Sequence, residues 1–214
     1  MLKQAKAFIF DLNGTMVNDM PYHIGAWHQQ LTALGSELSI EEVKHQCYGK
    51  NDELLERVFP GKFTMQEKLS IGANKEAMYR VEFKPHLKLI DGLALFLKNA
   101  FEQKIKMGIG SAAIQLNIDF VIDHTDIRNY FIAIVSADDV SISKPHPETF
   151  LKCAELLRVA PSDCIVFEDT PKGVLCAQEA GMKTIVIKGM HQEIEFADFD
   201  NILFFIEDYT NLSF

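Results

Sequence analysis

Four short stretches of this 214-residue chain carry the side chains that chemistry would need. Asp11 and Asn13 stand two apart in DLNGT, Ser111 follows MGIG, Lys144 lies in SKPHPE, and Glu168 and Asp169 open EDTPKG. Carboxylates on Asp11, Glu168 and Asp169, if brought together, suit a hard cation such as Mg2+, which takes oxygen ligands. The cation and the compact charge of Lys144 would together offset the repulsion between an anionic nucleophile and an incoming phosphoryl group. Asp11 fits the role of that nucleophile, making an aspartyl-phosphate. Ser111 and backbone N–H groups fit as donors to phosphate oxygens. A single polar residue at a strand end is ordinarily a turn former or helix cap. Four sets at four successive strand ends ask for another explanation.

The elements that must position them follow from periodicity. Residues 6–10, KAFIF, are short, apolar and aromatic, as a buried strand is. Further strands are predicted over 106–110, 132–136, 164–167, 184–187 and 202–205, and helices over 92–103, 115–122, 147–157 and 172–180. Strands alternating with helices predict an α/β fold, a Rossmann-like parallel sheet with helices on both faces. Its carboxyl edge, where open α/β sheets place ligands, would collect the polar groups. Residues 22–83 read differently. They show no strand pattern, helical spacing through His23, Trp27 and Leu31, and two capping boxes, Ser39 with Glu42 and Thr64 with Glu67. A helical segment over 52–59 and a long amphipathic stretch ending at Phe83 complete the block. The expectation is a discontinuous core domain, residues 1–15 and 86–214, with an inserted helical cap over 16–85.

Composition bounds the partners. Thirty acidic residues against twenty-one basic ones leave a formal charge of -9, which argues against a sequence-independent nucleic-acid surface. It leaves room for one small phosphate at a local positive site, because net charge belongs to the whole surface. No apolar run approaches the roughly 20 residues that span a bilayer. The N-terminus runs from a short apolar patch straight into Asp11, unlike a signal peptide. Cys47, Cys153, Cys164 and Cys176 form no CxxC pair and read as reduced thiols. A cytoplasmic protein is therefore expected, a monomer or weak homo-oligomer, with a small phosphorylated metabolite as its partner and neither nucleic acid nor membrane.

In its motifs the chain resembles the haloacid dehalogenase superfamily. The family's DxDxT is matched by Asp11-Leu12-Asn13-Gly14-Thr15, its strand-end hydroxyl by Ser111, its Lys-Pro by Lys144-Pro145 and its acidic pair by Glu168-Asp169. The insert position resembles the helical-cap subclass. Pro21-Tyr22-His23 with Trp27, and SKPHPE followed by EDTPKG, are similar to the β-phosphoglucomutase-like phosphatases and mutases. The resemblance implies Asp11 as nucleophile and metal ligand, with Mg2+ also held by the Asn13 carbonyl, by Asp169 and by Glu168. It implies Ser111 and Lys144 as phosphate holders, Thr15 as shaping the motif loop, and a cap that opens to substrate and closes against water.

Two departures matter. In family phosphatases the second acidic residue of the first motif protonates the leaving oxygen and then activates water; Asn13 stands there instead. An amide cannot exchange a proton near neutral pH, and loss of general acid–base help costs about 10²–10⁴-fold in rate. Three readings compete: an aspartate exchanged for asparagine to trap substrate, a natural protein with weak or altered chemistry, and a protein that binds ligand without turnover. Asn13-Gly14 is also a dipeptide prone to deamidation, which would restore an aspartate unless the tight loop prevents ring closure. The second departure lies in the cap loop, where the mutases carry basic residues around a glycine. Gly49 matches, Tyr48 and Asp52 replace the basic positions, and Lys50 is the remaining basic candidate. Ala112, after Ser111, stands where those mutases have a second serine. His23, Gly49, Lys50 and Ala112 are thus the substrate-binding candidates, and a phosphohydrolase is favoured over a mutase. Dehalogenase or phosphonatase chemistry also dispenses with the second aspartate, the latter requiring a cap lysine for which Lys50 is the loop candidate.

Overall fold

In a computed structural model, residues 2–213 are described. The chain divides into two compact units, one built from the residues up to Asn18 together with those from Lys88 onward, the other spanning Asp19–Leu87.

The first unit is a six-stranded parallel sheet, β1 (Ala7–Phe10), β2 (Lys106–Gly110), β3 (Ala133–Val135), β4 (Cys164–Glu168), β5 (Lys183–Ile187) and β6 (Ile202–Ile206). Their spatial order is β3-β2-β1-β4-β5-β6, the Rossmann-like order. All four residues of β1 are buried, as a central parallel strand covered on both faces must be. Alternation sends its side chains to two cores. Ala7 and Ile9 pack with Val135, Phe150, Cys153, Leu157 and Val166. Phe8 and Phe10 meet Phe96 and Phe167, with ring centroids 4.6 Å apart for Phe10–Phe167 and 5.5 Å for Phe8–Phe96. Each such ring contributes about 1.5–3 kcal/mol by burial.

In this unit the helices are α5 (Leu93–Glu102), α6 (Gln115–His124), α7 (Glu148–Leu157) and α8 (Pro171–Glu179). Asp138 and Asp139 are exposed, and each also holds a backbone group. Asp138 Oδ2 accepts the Gln115 N–H at 2.9 Å, capping α6 from a distant loop. Asp139 accepts from the Ser136 N–H and hydroxyl at 2.9 and 2.7 Å.

The second unit holds α1 (Met20–Ala33), α2 (Ile40–Gln46), α3 (Asn51–Val58) and α4 (Met65–Phe83). Both capping boxes form: Glu42 N–H donates to Ser39 Oγ and Ser39 N–H to Glu42, and Thr64 pairs with Glu67 in the same way. The amphipathic reading of α4 needs correction. Its buried residues, Lys68, Gly72, Lys75, Glu76, Tyr79 and Phe83, keep helical spacing, but three of the six are charged. The inward stripe is set by ion pairing as well as by apolar burial: Lys68 pairs with Glu56, and Lys75 with Glu76.

Candidate active site

The polar groups gather where the order of the strands reverses. From β1 the chain builds outward through β2 and β3, then crosses to β4 on the other side of β1. Such a switch point opens a crevice at the carboxyl ends of the two neighbouring strands. Asp11 leaves β1 there, its N–H donating to the Phe167 carbonyl of β4 at 2.9 Å. Glu168 ends β4 and Asp169 follows it. Each of these three buried residues offers an oxygen, all within 4.8 Å of one another. Lys144, from the loop between β3 and α7, reaches Asp11 Oδ1 at 2.7 Å and Glu168 Oε1 at 2.8 Å. Its ammonium lies 4.4 Å from the Phe150 ring centroid. Ser111 follows β2, its N–H bonded to the Val135 carbonyl and its hydroxyl accepting the Ala113 N–H at 3.1 Å. Ala112 is half-buried beside it.

Charge in this cluster does not balance. Burial alone would pull the Lys144 pKa down, but the Asp11 and Glu168 carboxylates outweigh it and hold the lysine raised. Asp169 is pushed well above the usual carboxylate range by burial, then by the Glu168 and Asp11 charges; Lys144 and the Thr15 hydroxyl oppose this too weakly. The Lys144 ammonium meets two of the three buried carboxylates, and Asp169 receives the Thr15 hydroxyl at 3.3 Å. The donor set is all oxygen and short of positive charge, so the residues fit a divalent hard cation such as Mg2+.

Several further residues support the site, Thr170 and Gly173 within EDTPKG among them. Thr170 and the backbone clamp Glu168: its Oε2 accepts the N–H groups of Asp169 and Thr170, both at 2.8 Å, and the Thr170 hydroxyl at 3.0 Å. The same hydroxyl accepts the Gly173 N–H at 3.0 Å and so caps α8. A Cβ at Gly173 would overlap the Glu168 carboxylate, and one at Gly14 would overlap Asp169. Tyr209, buried near the C-terminus, donates its hydroxyl to the Thr15 carbonyl at 3.0 Å and braces the motif loop. A Thr-Pro helix start was a readable signal for Thr170; nothing local signals Tyr209, which lies 194 residues from its partner. Asn13 is half-buried in that loop, where Gly14 has φ 77°.

Within the helical unit, His23 belongs to a buried polar cluster. Its Nδ1 is 2.7 Å from Lys75 Nζ, and its ring stacks on Tyr79 with centroids 3.7 Å apart. Lys75 also meets Glu76 Oε1 at 3.0 Å and stands 5.2 Å from the Trp27 ring centroid. The Tyr79 hydroxyl donates to Asp19 Oδ2 at 2.6 Å. His23 Nε2 lies 3.6 Å from Asp19 Oδ2, and Nδ1 lies 3.8 Å from Glu76 Oε2. Gly49 has φ 73°, and Lys50 opens α3, its N–H donating to Glu53 at 2.8 Å. Arg57 holds this loop, bonding the Gln46 and Tyr48 carbonyls at 2.7 and 2.8 Å. Asn51 ties it to Glu76 at 2.9 Å.

Comparison with known proteins places this arrangement. The family model described as haloacid dehalogenase-like hydrolase matches residues 8–187. A Haemophilus influenzae protein is 34% identical over 190 residues, covering 86% of this chain and 91% of its own length. The fructose-1-phosphate phosphatase YqaB of Escherichia coli is 26% identical over 191 residues, 88% of this chain and 99% of its own. The crystal structure of β-phosphoglucomutase from Clostridium difficile superposes with a TM-score of 0.85 at 26% identity, covering 98% of this chain and 94% of that one. With the four motifs converging on one sheet edge and the family matched across most of its length, this chain belongs to the haloacid dehalogenase-like hydrolases, in their phosphatase and β-phosphoglucomutase-like group.

Proposed function

We propose that the protein is a Mg2+-dependent phosphohydrolase of small phosphorylated metabolites, sugar phosphates foremost, working through an aspartyl-phosphate at Asp11 and slowed by Asn13. The observation that carries the reading is Lys144 seated between Asp11 and Glu168 in a cluster that still lacks positive charge. The E. coli relative named as a fructose-1-phosphate phosphatase supports the substrate class.

The geometry supports the following roles. Asp11 attacks phosphorus: its carboxylate oxygen forms the new P–O bond as the bond to the leaving oxygen breaks. Lys144 keeps the nucleophile anionic and lies at hand for phosphate oxygens; Ser111 adds a donor. Asp11, Glu168 and Asp169, with the Asn13 carbonyl, would hold Mg2+, which when bound supplies the positive charge that phosphate and carboxylates together require. Glu168, clamped by Thr170, sets the position of Lys144. The leaving oxygen needs a proton and the incoming water must lose one. Asn13 can do neither, so both half-reactions run without general acid–base help, a deficit of about 10²–10⁴-fold. We assign His23, Gly49, Lys50 and Ala112 to recognition of the rest of the substrate. Tyr48 and Asp52 in place of basic residues weigh against a grip on a second phosphate, hence against a mutase.

Asn13 also favours a second reading, a phospho-ligand binder without turnover. Trapping the intermediate separates the two. With Mg2+ and p-nitrophenyl phosphate, whose leaving group needs no proton, phosphorylation should proceed while hydrolysis lags. Acid-quenched peptide mass spectrometry should then find phosphate on Asp11, absent in Asp11→Asn. A chain that binds phosphate yet never acquires it on Asp11 is the binder.

A further inference from the structure

We propose that Asn13-Gly14 is a latent modification site: one backbone hydrogen bond guards it in the folded protein, and its conversion to aspartate supplies the acid–base group that the site lacks. The second half rests on the phosphohydrolase reading; the first stands on loop geometry alone.

Deamidation at Asn-Gly begins when the following backbone nitrogen attacks the asparagine side-chain carbonyl, and glycine leaves that nitrogen unhindered. The Gly14 nitrogen would bond to Asn13 Cγ, the Cγ–Nδ2 bond would break, and ammonia would depart with the proton that Gly14 gives up. Water then opens the cyclic imide. Opening at Cγ yields aspartate; opening at the backbone carbonyl yields isoaspartate, which reroutes the main chain. No oxidant or cofactor is consumed.

In the fold the attacking nitrogen is occupied. Gly14 N–H donates to the Val17 carbonyl at 2.8 Å, and Asn13 and Val17 form an isolated bridge. The Leu12 carbonyl accepts the Met16 N–H at 2.8 Å, closing the loop from the other side. Two further contacts prevent the 13–14 peptide from swinging alone. Asp169 packs so closely on Gly14 that no Cβ fits there, and the Thr15 carbonyl is held by Tyr209 at 3.0 Å. Ring closure therefore requires the loop to open, and its rate is set by how often that happens rather than by the dipeptide's intrinsic reactivity. The contacts that shape the phosphate-binding loop are the ones that preserve Asn13.

The test incubates the full chain in mildly alkaline buffer, folded and in urea, and follows the 11–17 region by peptide mass spectrometry that separates Asn, Asp and isoAsp. Aged samples are refolded and assayed with Mg2+ and sugar phosphates beside fresh Asn13→Asp. The folded chain should convert at least about tenfold more slowly than the unfolded one, the factor an opening cost of about 1.4 kcal/mol imposes. Turnover after refolding should rise with the Asp fraction and ignore the isoAsp fraction. Equal rates in the two states would overturn the guard. Asp-containing aged protein that stays inert while Asn13→Asp turns over would overturn the gain of function. If Asn13→Asp is itself inert, the phosphohydrolase reading and the gain of function both fall, and the two rates still judge the guard.

Discussion

Glu168 occupies the space that any side chain at Gly173 would need: a Cβ there would overlap its carboxylate. The glycine sits in the first turn of α8, where a larger residue would otherwise be unremarkable, so its requirement comes from the site and not from the helix. Gly173→Ala should push Glu168 off Lys144, weaken Mg2+ binding at least about tenfold, and cost about 1–3 kcal/mol as overpacking does. Metal titration and thermal unfolding together check this; an alanine variant with unchanged metal affinity would show that Glu168 does not depend on the glycine.

Asp169 is the carboxylate least compensated by Lys144, raised by burial and by its acidic neighbours. Without metal, Asp169→Asn should be at least as stable as the parent, and a gain of about 1 kcal/mol would lift Tm by about 2–4 °C at this size. With metal the order should invert. The parent should gain about 2.7 kcal/mol at a hundredfold excess over Kd, and the variant little. Differential scanning of both proteins with and without Mg2+ reads both signs.

Lys144→Met should behave oppositely. It removes the ammonium that bridges Asp11 and Glu168 and weakens the compensation of their buried charge, at about 3–5 kcal/mol. Saturating Mg2+ should recover part of that stability but not phosphoryl transfer, which loses a fixed charge worth about 10²–10³-fold. Unfolding curves and Asp11 phosphorylation, measured side by side, separate the two losses.

The four cysteines are free thiols. Burial raises Cys47 and Cys164 to about 11 and Cys176 to about 12. Each pH unit below the pKa cuts the thiolate tenfold, so near pH 8 alkylation in the folded chain should run at least roughly 100-fold slower at Cys47 and Cys164 and at least roughly 1,000-fold slower at Cys176. The fold holds these protons where the unfolded chain has released them. Their contribution to stability is therefore complete below the ordinary thiol pKa of ~8.5 and declines as pH rises through about 11 for Cys47 and Cys164 and about 12 for Cys176. Timed iodoacetamide labelling and unfolding free energies across that range check both statements; full labelling of the native protein within the unfolded protein's half-time would contradict them.

What could be read from the sequence was whatever local pattern controls. Apolar runs bounded by polar turns placed β1 to β6 to within a residue or two, and Ser39 and Thr64 announced their helices because a capping box is a four-residue event. The α/β architecture followed from alternation alone. The buried face of α4 was hidden because Lys68, Lys75 and Glu76 occupy inward positions that hydropathy assigns to solvent; pairing with Glu56 and His23 across the helices, and of Lys75 with Glu76, makes their burial tolerable. The capping role of Asp138 has no local signal for a related reason, since the helix it caps begins 23 residues earlier. At the sheet edge, motif spacing named Asp11, Ser111, Lys144, Glu168 and Asp169, but not the partners that hold them. Tyr209 and Gly173 matter through contacts that exist only once the chain is folded.

The central claim is that the site is that of a phosphohydrolase short of one acid–base group. A panel of sugar phosphates with Mg2+, assayed with the parent chain and with Asn13→Asp, tests it most directly. The account predicts a gain in kcat/KM of about 10²–10⁴-fold in the variant on at least one sugar phosphate, with the gain lost again when Asp11→Asn is added. A variant that folds, binds Mg2+ and phosphate, and still releases no phosphate from any of them would contradict it.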